Sequence, residues 1–452
     1  MDPVDELRAL VPHVVSDPDA TQAYRFDEAD LAAAGQPRAV VLATSTADVA
    51  ATLRWASAHR IPVVPRGAGT GLSGGAAAVD GCVVLSLARM TAIRELDADN
   101  LLAVVEPGVL NADVTRAAER YGLFYPPDPS SFEISTIGGN VATNAGGLRC
   151  VKYGVTRDSV LGLEVVLADG RTVRTGGRTV KQVAGYDLTR LFVGSEGTLG
   201  VVTEATLRLR PRPATPPVTF VATFPTLAGA GAAVAGILRT GAAPSLLELL
   251  DNTSINLIED HRRMDLDRSA AALLLGQSDG PTAADDVARM VAVCTRYDAA
   301  DVVTTDDRAE TDMLLAARRA HHGAVTAAGA TLIDDVGVPP AKLPELLAGI
   351  EAVAADHGVR IATVGHAGDG NVHPTVIFPP DDPVARDQAV AAAEAVCHLA
   401  VRLGGTITGE HGVGSVKRDW LAAELDADTL AVHHAVKAAL DPAGILNPGK
   451  AI

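Results

Sequence analysis

Cysteine is scarce, and the four present (Cys82, Cys150, Cys294, Cys397) lie far apart with no C-x-x-C pair among them. That spacing excludes a disulfide framework and an iron–sulfur cluster, and leaves buried structural thiols as the expectation. A long hydrophobic run is missing too. No stretch of eighteen apolar residues is free of charges, so no membrane span is expected. The start, "MDPVDELRALVPHVV", carries acids early and lacks a basic leader and a cleavage pattern. No signal peptide is expected, and the expected location is cytoplasmic, at most peripheral to the inner face of a membrane. Positive charge is in deficit: 38 Lys and Arg face 55 Asp and Glu, a formal net charge of −17. Such a chain would repel phosphates, which excludes a nucleic-acid partner.

What is present suffices for packed domains. Of 452 residues, 48% are hydrophobic, enough for two or three cores. Residues 39 to 65 read as strand, helix, strand: "AVVL", a helical stretch opened by Ser45 and Asp48 as a capping box, then "IPVVP". "CVVLSL" and "LLAVVEPG" read as strands, followed by a helix near 111–121. "LGLEVVLADGRTVRT" reads as a hairpin turning at Asp169-Gly170. "LGVVTEATLRLRPRP" closes this part, and its prolines mark a boundary near 211–217. Beyond it, "VTFVATF", helix 226–240, "SLLELLD", "AALLLGQ", helix 282–297 and "DVVTT" give the ferredoxin-like order β-α-β-β-α-β. A similar set follows, with "TLIDDVGVP", helix 341–357, "RIATVGH", "NVHPTVIF" and helix 383–403.

Three small-residue loops stand out. "PRGAGTGLSGG" (65–75) begins where a strand ends, and its glycines can turn several N–H groups inward to hold phosphate oxygens. It ends in no Gly-Lys-Ser/Thr and is followed by no ribose-binding acid, so it is neither a Walker loop nor a Rossmann fingerprint. "PPDPSSFEISTIGGNVATNAGG" (126–147) and "GSEGTLGVVTEA" (194–205) are the others. One long ligand lying across all three, a dinucleotide, fits them.

These loops, with "KYGVTRDSVLGLEVVLADG" between them, resemble the FAD-binding domain of vanillyl-alcohol oxidase type (PCMH-type) flavoproteins. The back half resembles the FAD-linked oxidase C-terminal domain. Together they resemble the group holding the glycolate oxidase FAD subunit, D-lactate dehydrogenase and D-2-hydroxyglutarate dehydrogenase, over roughly residues 36 to 450. The resemblance implies an α+β protein: an N-terminal segment (1–35), a two-subdomain FAD-binding domain (36–213), a ferredoxin-like cap for substrate (214–404), and a segment (405–452) returning to the FAD domain. It implies that Arg66, Gly67, Ala68, Gly69, Thr70, Gly71, Ser73 and Gly74 wrap the FAD pyrophosphate. Pro127, Asp128, Gly138, Gly139, Asn140, Thr143, Asn144 and Gly146 border the ring and ribityl chain. Glu196, Gly197, Gly200 and Val202 hold the adenine side or ring edge, and Asn447 reaches the site. Covalent attachment in this family uses His or Cys; the loops contain no His, so FAD is expected to be non-covalent.

"GHAGDGNVHPTV" (365–376) and "ITGEHGVG" (407–414) hold His366, His373, Glu410 and His411. From the residues alone, these are either scattered polar groups or a site. A strand ending at His366 and another starting near His373 would bring both imidazoles together, with Asp369 placed to orient a ring. Two His and a carboxylate suit an open divalent site, Zn²⁺, Mn²⁺ or Fe²⁺. The resemblance implies His366, His373 and Glu410 as ligands and His411 as the base that takes the hydroxyl proton of a D-2-hydroxy acid. It implies Arg318 for the substrate carboxylate. Neighbouring His321 and His322, and His433 and His434, read as helix-surface residues. "TLIDDVGVP" carries Ile333, Asp334 and Asp335 where the dicarboxylate enzymes carry a Lys, which favours a short acid such as glycolate or D-lactate. Electrons are expected to leave for a separate acceptor: a partner subunit, quinone, cytochrome or electron-transfer flavoprotein. A homodimer is the default assembly.

Overall fold

Ser45 shows how local chemistry starts an element. Its hydroxyl accepts the Asp48 N–H at 3.2 Å and opens helix Thr46–His59. Half of the expected capping box forms. The Asp48 carboxylate takes the Thr44 N–H at 2.9 Å rather than that of Ser45, so it braces the turn one residue earlier. A computed structural model describes residues 3–29 and 32–452. The chain divides into two compact units: residues 1–146, 154–212 and 410–452 form the first, and 147–153 with 213–409 the second.

The first unit holds two main sheets. Strands Ala39–Leu42, Val83–Ser86 and Val63–Arg66 run parallel, as a helix between strands requires. Their core includes Val41, Leu53, Trp55, Val63 and Leu85. The second sheet is antiparallel, ordered Ile93–Asp97, Leu102–Val105, Val201–Arg208, Val160–Val166, Thr172–Gly176. The hairpin turns at Gly170, whose φ of +78° suits glycine. Strand Ile93–Asp97 escapes the sequence reading because "IRELD" is mostly polar and only partly buried.

The second unit is one antiparallel sheet of eight strands. Strands Val218–Phe224, Pro244–Asp251, Ala272–Ser278 and Asp301–Thr305, taken as first to fourth, lie in the order fourth, first, third, second. That is the ferredoxin-like arrangement the pattern predicts. The following strands, Arg360–His366, Asn371–Phe378 and Ala330–Ile333, extend this same sheet instead of building another. Helix Asn252–His261, absent from the sequence reading, is capped by Asp251, which accepts the Ser254 N–H at 2.7 Å and the Thr363 N–H at 2.9 Å.

Burial pushes the Asp251 carboxyl up to about 6, against those hydrogen bonds. Its folded value then exceeds the unfolded one, so the folded chain holds the extra proton between pH ~4 and ~6 and this group's stability falls as pH rises through that window. A tenfold change in acidity is worth ~1.4 kcal/mol, so the loss across the window totals about 3 kcal/mol. Asp251→Asn cannot ionise. Urea titrations from pH ~4 to ~7 should therefore show the variant gaining on the parent by about that amount; a gap independent of pH would contradict it.

Candidate functional site

In the first unit, all three glycine-rich loops meet. Gly67 lies so close to Thr136 that a Cβ would strike its hydroxyl. Thr136 caps helix Ile137–Thr143 by accepting the Gly139 N–H at 3.3 Å. The third loop hangs on that helix: the Gly194 N–H donates to Val141 O and the Glu196 N–H to Ala142 O, at 2.9 and 2.8 Å. Within the first loop only Gly69 and Gly74 take positive φ, +81° and +77°. Gly67 is small for space, and the Arg66 side chain folds over Gly69.

The tail after residue 440 locks these loops. Leu446 bridges Val63 in parallel, and the Asn447 amide donates to Gly75 O at 2.9 Å and Glu196 O at 2.7 Å. Lys450 donates to Ala77 O at 2.6 Å, and burial pushes its amine down to about 8. The Glu196 carboxylate accepts the Val413 and Gly414 N–H groups at 2.8 Å each; burial raises its pKa against those two bonds. Asn447 and Glu196 thus spend these groups on holding the frame. Lys450 is not legible in the sequence as part of it, since one Lys in a terminal segment is ordinarily solvated.

This frame fits FAD. The Asn140 side-chain nitrogen and the Ser135 and Ser415 hydroxyls are buried with no hydrogen-bond partner among the described residues, a condition native chains rarely leave unfilled. The glycine backbones and these donors would hold FAD, which brings the two-electron acceptor. Thr143 ends the same helix and Asn144 caps it, and the Asn144 side chain accepts the Arg157 N–H at 2.9 Å. Gly200 packs under Val165 and Gly197 against Pro65, leaving no room for side chains. Glu410 lies against Gly146, where a Cβ would collide with its carboxylate. His411, half-buried, has its Nε2 3.8 Å from Glu410 Oε1, and its carbonyl accepts the Ser73 hydroxyl at 3.2 Å.

In the second unit, the expected histidine pair forms. Strands Arg360–His366 and Asn371–Phe378 pair antiparallel with Val364 opposite His373. His366 is therefore a diagonal neighbour of His373 on one face, and the rings meet edge-on with centroids 5.0 Å apart. Gly370, at φ +82°, closes the turn. The residue on His366 Nδ1 is Glu248, at 2.8 Å. Asp369, expected to orient a ring, is instead exposed and receives the Asn371 N–H at 3.4 Å. Glu248 also accepts Arg318 Nε at 2.8 Å. Burial would raise the Glu248 carboxyl, but His366 and Arg318 outweigh it and hold it low.

Asp335 stands 3.6 Å from His373 Nδ1. Its carboxylate accepts from Asn371 Nδ2 (2.7 Å), Thr408 Oγ1 (2.9 Å) and the Gly409 N–H (2.8 Å). The donor set suits a divalent cation: two buried imidazoles, one fixed by a carboxylate through Nδ1 so that Nε2 is the atom that would ligate. Arg318 is buried, and its two terminal nitrogens make no hydrogen bond among the described residues. His321 corrects the sequence reading: it is buried, 5% exposed, while His322, His433 and His434 are on the surface. Sequence reasoning misses the parts played by Glu248 and Asp335. The signal for Glu248 is an acid in the middle of "SLLELLD", flanked by leucines in a strand buried throughout.

Residues 37–176 match a family model described as "FAD binding domain", and residues 215–451 one described as "FAD linked oxidases, C-terminal domain". The glycolate oxidase subunit GlcD of Bacillus subtilis (strain 168) is 45% identical over 92% of this chain and 88% of its own. A D-lactate dehydrogenase of Archaeoglobus fulgidus is 37% identical over 99% of both. The crystal structure of p-cresol methylhydroxylase with substrate bound shares the fold, with a TM-score of 0.86 at 19% identity over 99% of this chain and 96% of that one.

Proposed function

Because the chain belongs to the FAD-linked oxidases, a flavoprotein family that includes glycolate oxidase GlcD and D-lactate dehydrogenase, we propose that it oxidises a short D-2-hydroxy acid, of the glycolate or D-lactate type, to the 2-oxo acid. The observation that carries this reading is the buried group of Glu248, His366, His373 and Arg318, which joins cation-ligand chemistry to an anion-binding guanidinium. When bound, FAD supplies a hydride acceptor and a divalent cation supplies a Lewis acid that favours the alkoxide.

The chain's own residues do the rest. His366 and His373 ligate the cation, and Glu248 fixes the first ring. Glu410 is the proposed third ligand; it directly follows Gly409, whose N–H Asp335 holds. His411 accepts the hydroxyl proton, a task for which imidazole basicity near neutrality is suited. Arg318 reads the substrate carboxylate with its terminal nitrogens, a planar fork matched to two oxygens. Arg66 to Gly74, Pro127, Gly138 to Gly146 and the 196–202 loop hold FAD without a covalent bond. Ile333, Asp334 and Asp335 offer a second carboxylate no cation, and the two acids are fully buried. A dicarboxylate is therefore disfavoured.

The Bacillus relative is named a subunit, and we carry that over: the electrons pass to a separate acceptor, a partner subunit, quinone, cytochrome or electron-transfer flavoprotein. No helix among the described residues is long and apolar enough to cross a membrane. The test is anaerobic bleaching of the flavin by glycolate, D- and L-lactate, D-malate and D-2-hydroxyglutarate, each with and without chelator. Bleaching by glycolate or D-lactate that chelator abolishes and Zn²⁺, Mn²⁺ or Fe²⁺ restores is the expected result. No bleaching by any acid in metal-loaded protein would overturn the assignment.

A further inference from the structure

His321 is the buried group that the roles above leave unused. Both ring nitrogens are shut off from solvent, and neither has a hydrogen-bond partner among the described residues. His366, equally buried, has Glu248. His59, at the surface, has Glu6 at 2.9 Å. An unmade hydrogen bond on a buried donor costs about 1–3 kcal/mol, and buried polar side chains are ordinarily satisfied. A buried residue left this way points to a partner from outside the chain.

The surroundings say what kind of partner. His321 opens helix His321–Ala328, three residues after Arg318. That helix packs on strand Asn371–Phe378, which carries His373. Burial lowers the basicity of the His321 ring, and Arg318, His373 and His322 act in the same direction. An imidazole brings at least one N–H donor in either protonation state. Beside a guanidinium whose terminal nitrogens also lack a protein partner, the N–H is complementary to an anion with two oxygens.

We infer that His321 is a substrate-binding residue which, with Arg318, holds the carboxylate of the bound acid, so that affinity for the acid depends on a donor at this position. This rests on the 2-hydroxy acid reading above. Arg318 alone takes the negative charge; His321 adds a directional donor.

The test uses the FAD- and metal-loaded full chain. His321→Phe keeps a planar aromatic ring, slightly larger, and removes both nitrogens; His321→Gln restores an N–H. In anaerobic bleaching titrations with D-lactate and glycolate, His321→Phe should raise the half-saturating concentration about 10- to 100-fold, the range for a hydrogen bond to a charged group. The bleaching rate at saturating acid should stay within a few-fold of the parent. His321→Gln should recover much of the affinity, and the thermal midpoint of His321→Phe should not fall, since an unsatisfied polar group has been removed. Unchanged affinity in His321→Phe, or a loss that His321→Gln does not repair, would overturn the inference and leave His321 a packing residue. Those outcomes would leave the hydroxy acid reading standing. A parent protein that no 2-hydroxy acid bleaches would overturn both.

Discussion

His411→Ala is expected to lower the rate of flavin reduction at saturating D-lactate or glycolate by ~10²–10⁴-fold, the usual contribution of a positioned general base. Folding should be little affected. The imidazole is half-buried and its nitrogen stays 3.8 Å from the Glu410 carboxylate, while the hydrogen bond that ties this segment to the first glycine loop uses the His411 carbonyl, which alanine keeps. The flavin content and visible spectrum of the variant should match the parent. A second readout separates proton transfer from positioning: the parent's rate should fall on the acid side as the base is protonated, and the residual rate of the variant should lose that limb. An alanine variant that reduces its flavin at the parental rate would remove His411 from the chemistry.

The second large effect is at Glu248. This carboxylate is fully buried, with Arg318 on one oxygen and His366 on the other, both at 2.8 Å. Glu248→Ala strands a buried guanidinium. Breaking one partner of such a pair typically costs about 3–5 kcal/mol, because the remaining charge stays desolvated. Chemical denaturation should show that loss in the second unit, with Glu248→Gln losing less, since its amide oxygen still accepts from Arg318. The same change frees the His366 ring to turn. Outer-shell losses of this kind lower metal affinity about 10- to 100-fold, which competition with a chelator would measure. Parental stability and parental metal affinity in Glu248→Ala would contradict the roles given to this residue.

The two sites differ in how far the sequence exposes them. The flavin frame is legible because its requirement is local: small residues in a row at the end of a strand, repeated in three loops. What closes the frame is not. Asn447 and Lys450 bind carbonyls at Gly75 and Ala77, and nothing in "NPGK" states which backbone it will meet. The histidine pair is legible because a short glycine turn joins two strands, so that register follows from spacing. The acid that orients His366 lies 118 residues away, on a strand whose neighbour is chosen by the whole sheet, and sequence proximity favours Asp369 instead. His321 defies the sequence pattern for a related reason. In "ARRAHHGAV" four polar side chains crowd two turns, and only the packing of helix His321–Ala328 decides which of them faces inward. The mostly polar strand Ile93–Asp97 and helix Asn252–His261 escape because tertiary pairing and a buried Asp251 cap define them more than composition does.

The bond between Asn447 and Gly75 spans 372 positions of the chain. On the ribosome, the first glycine-rich loop emerges early, while the residues that fix its far side emerge only after everything from 213 to 409 has been made. Long-range closures of this kind are slow. The contacts that brace Gly75 and Ala77 therefore form only after residues 447–450 have been made, whatever the earlier loops have already done.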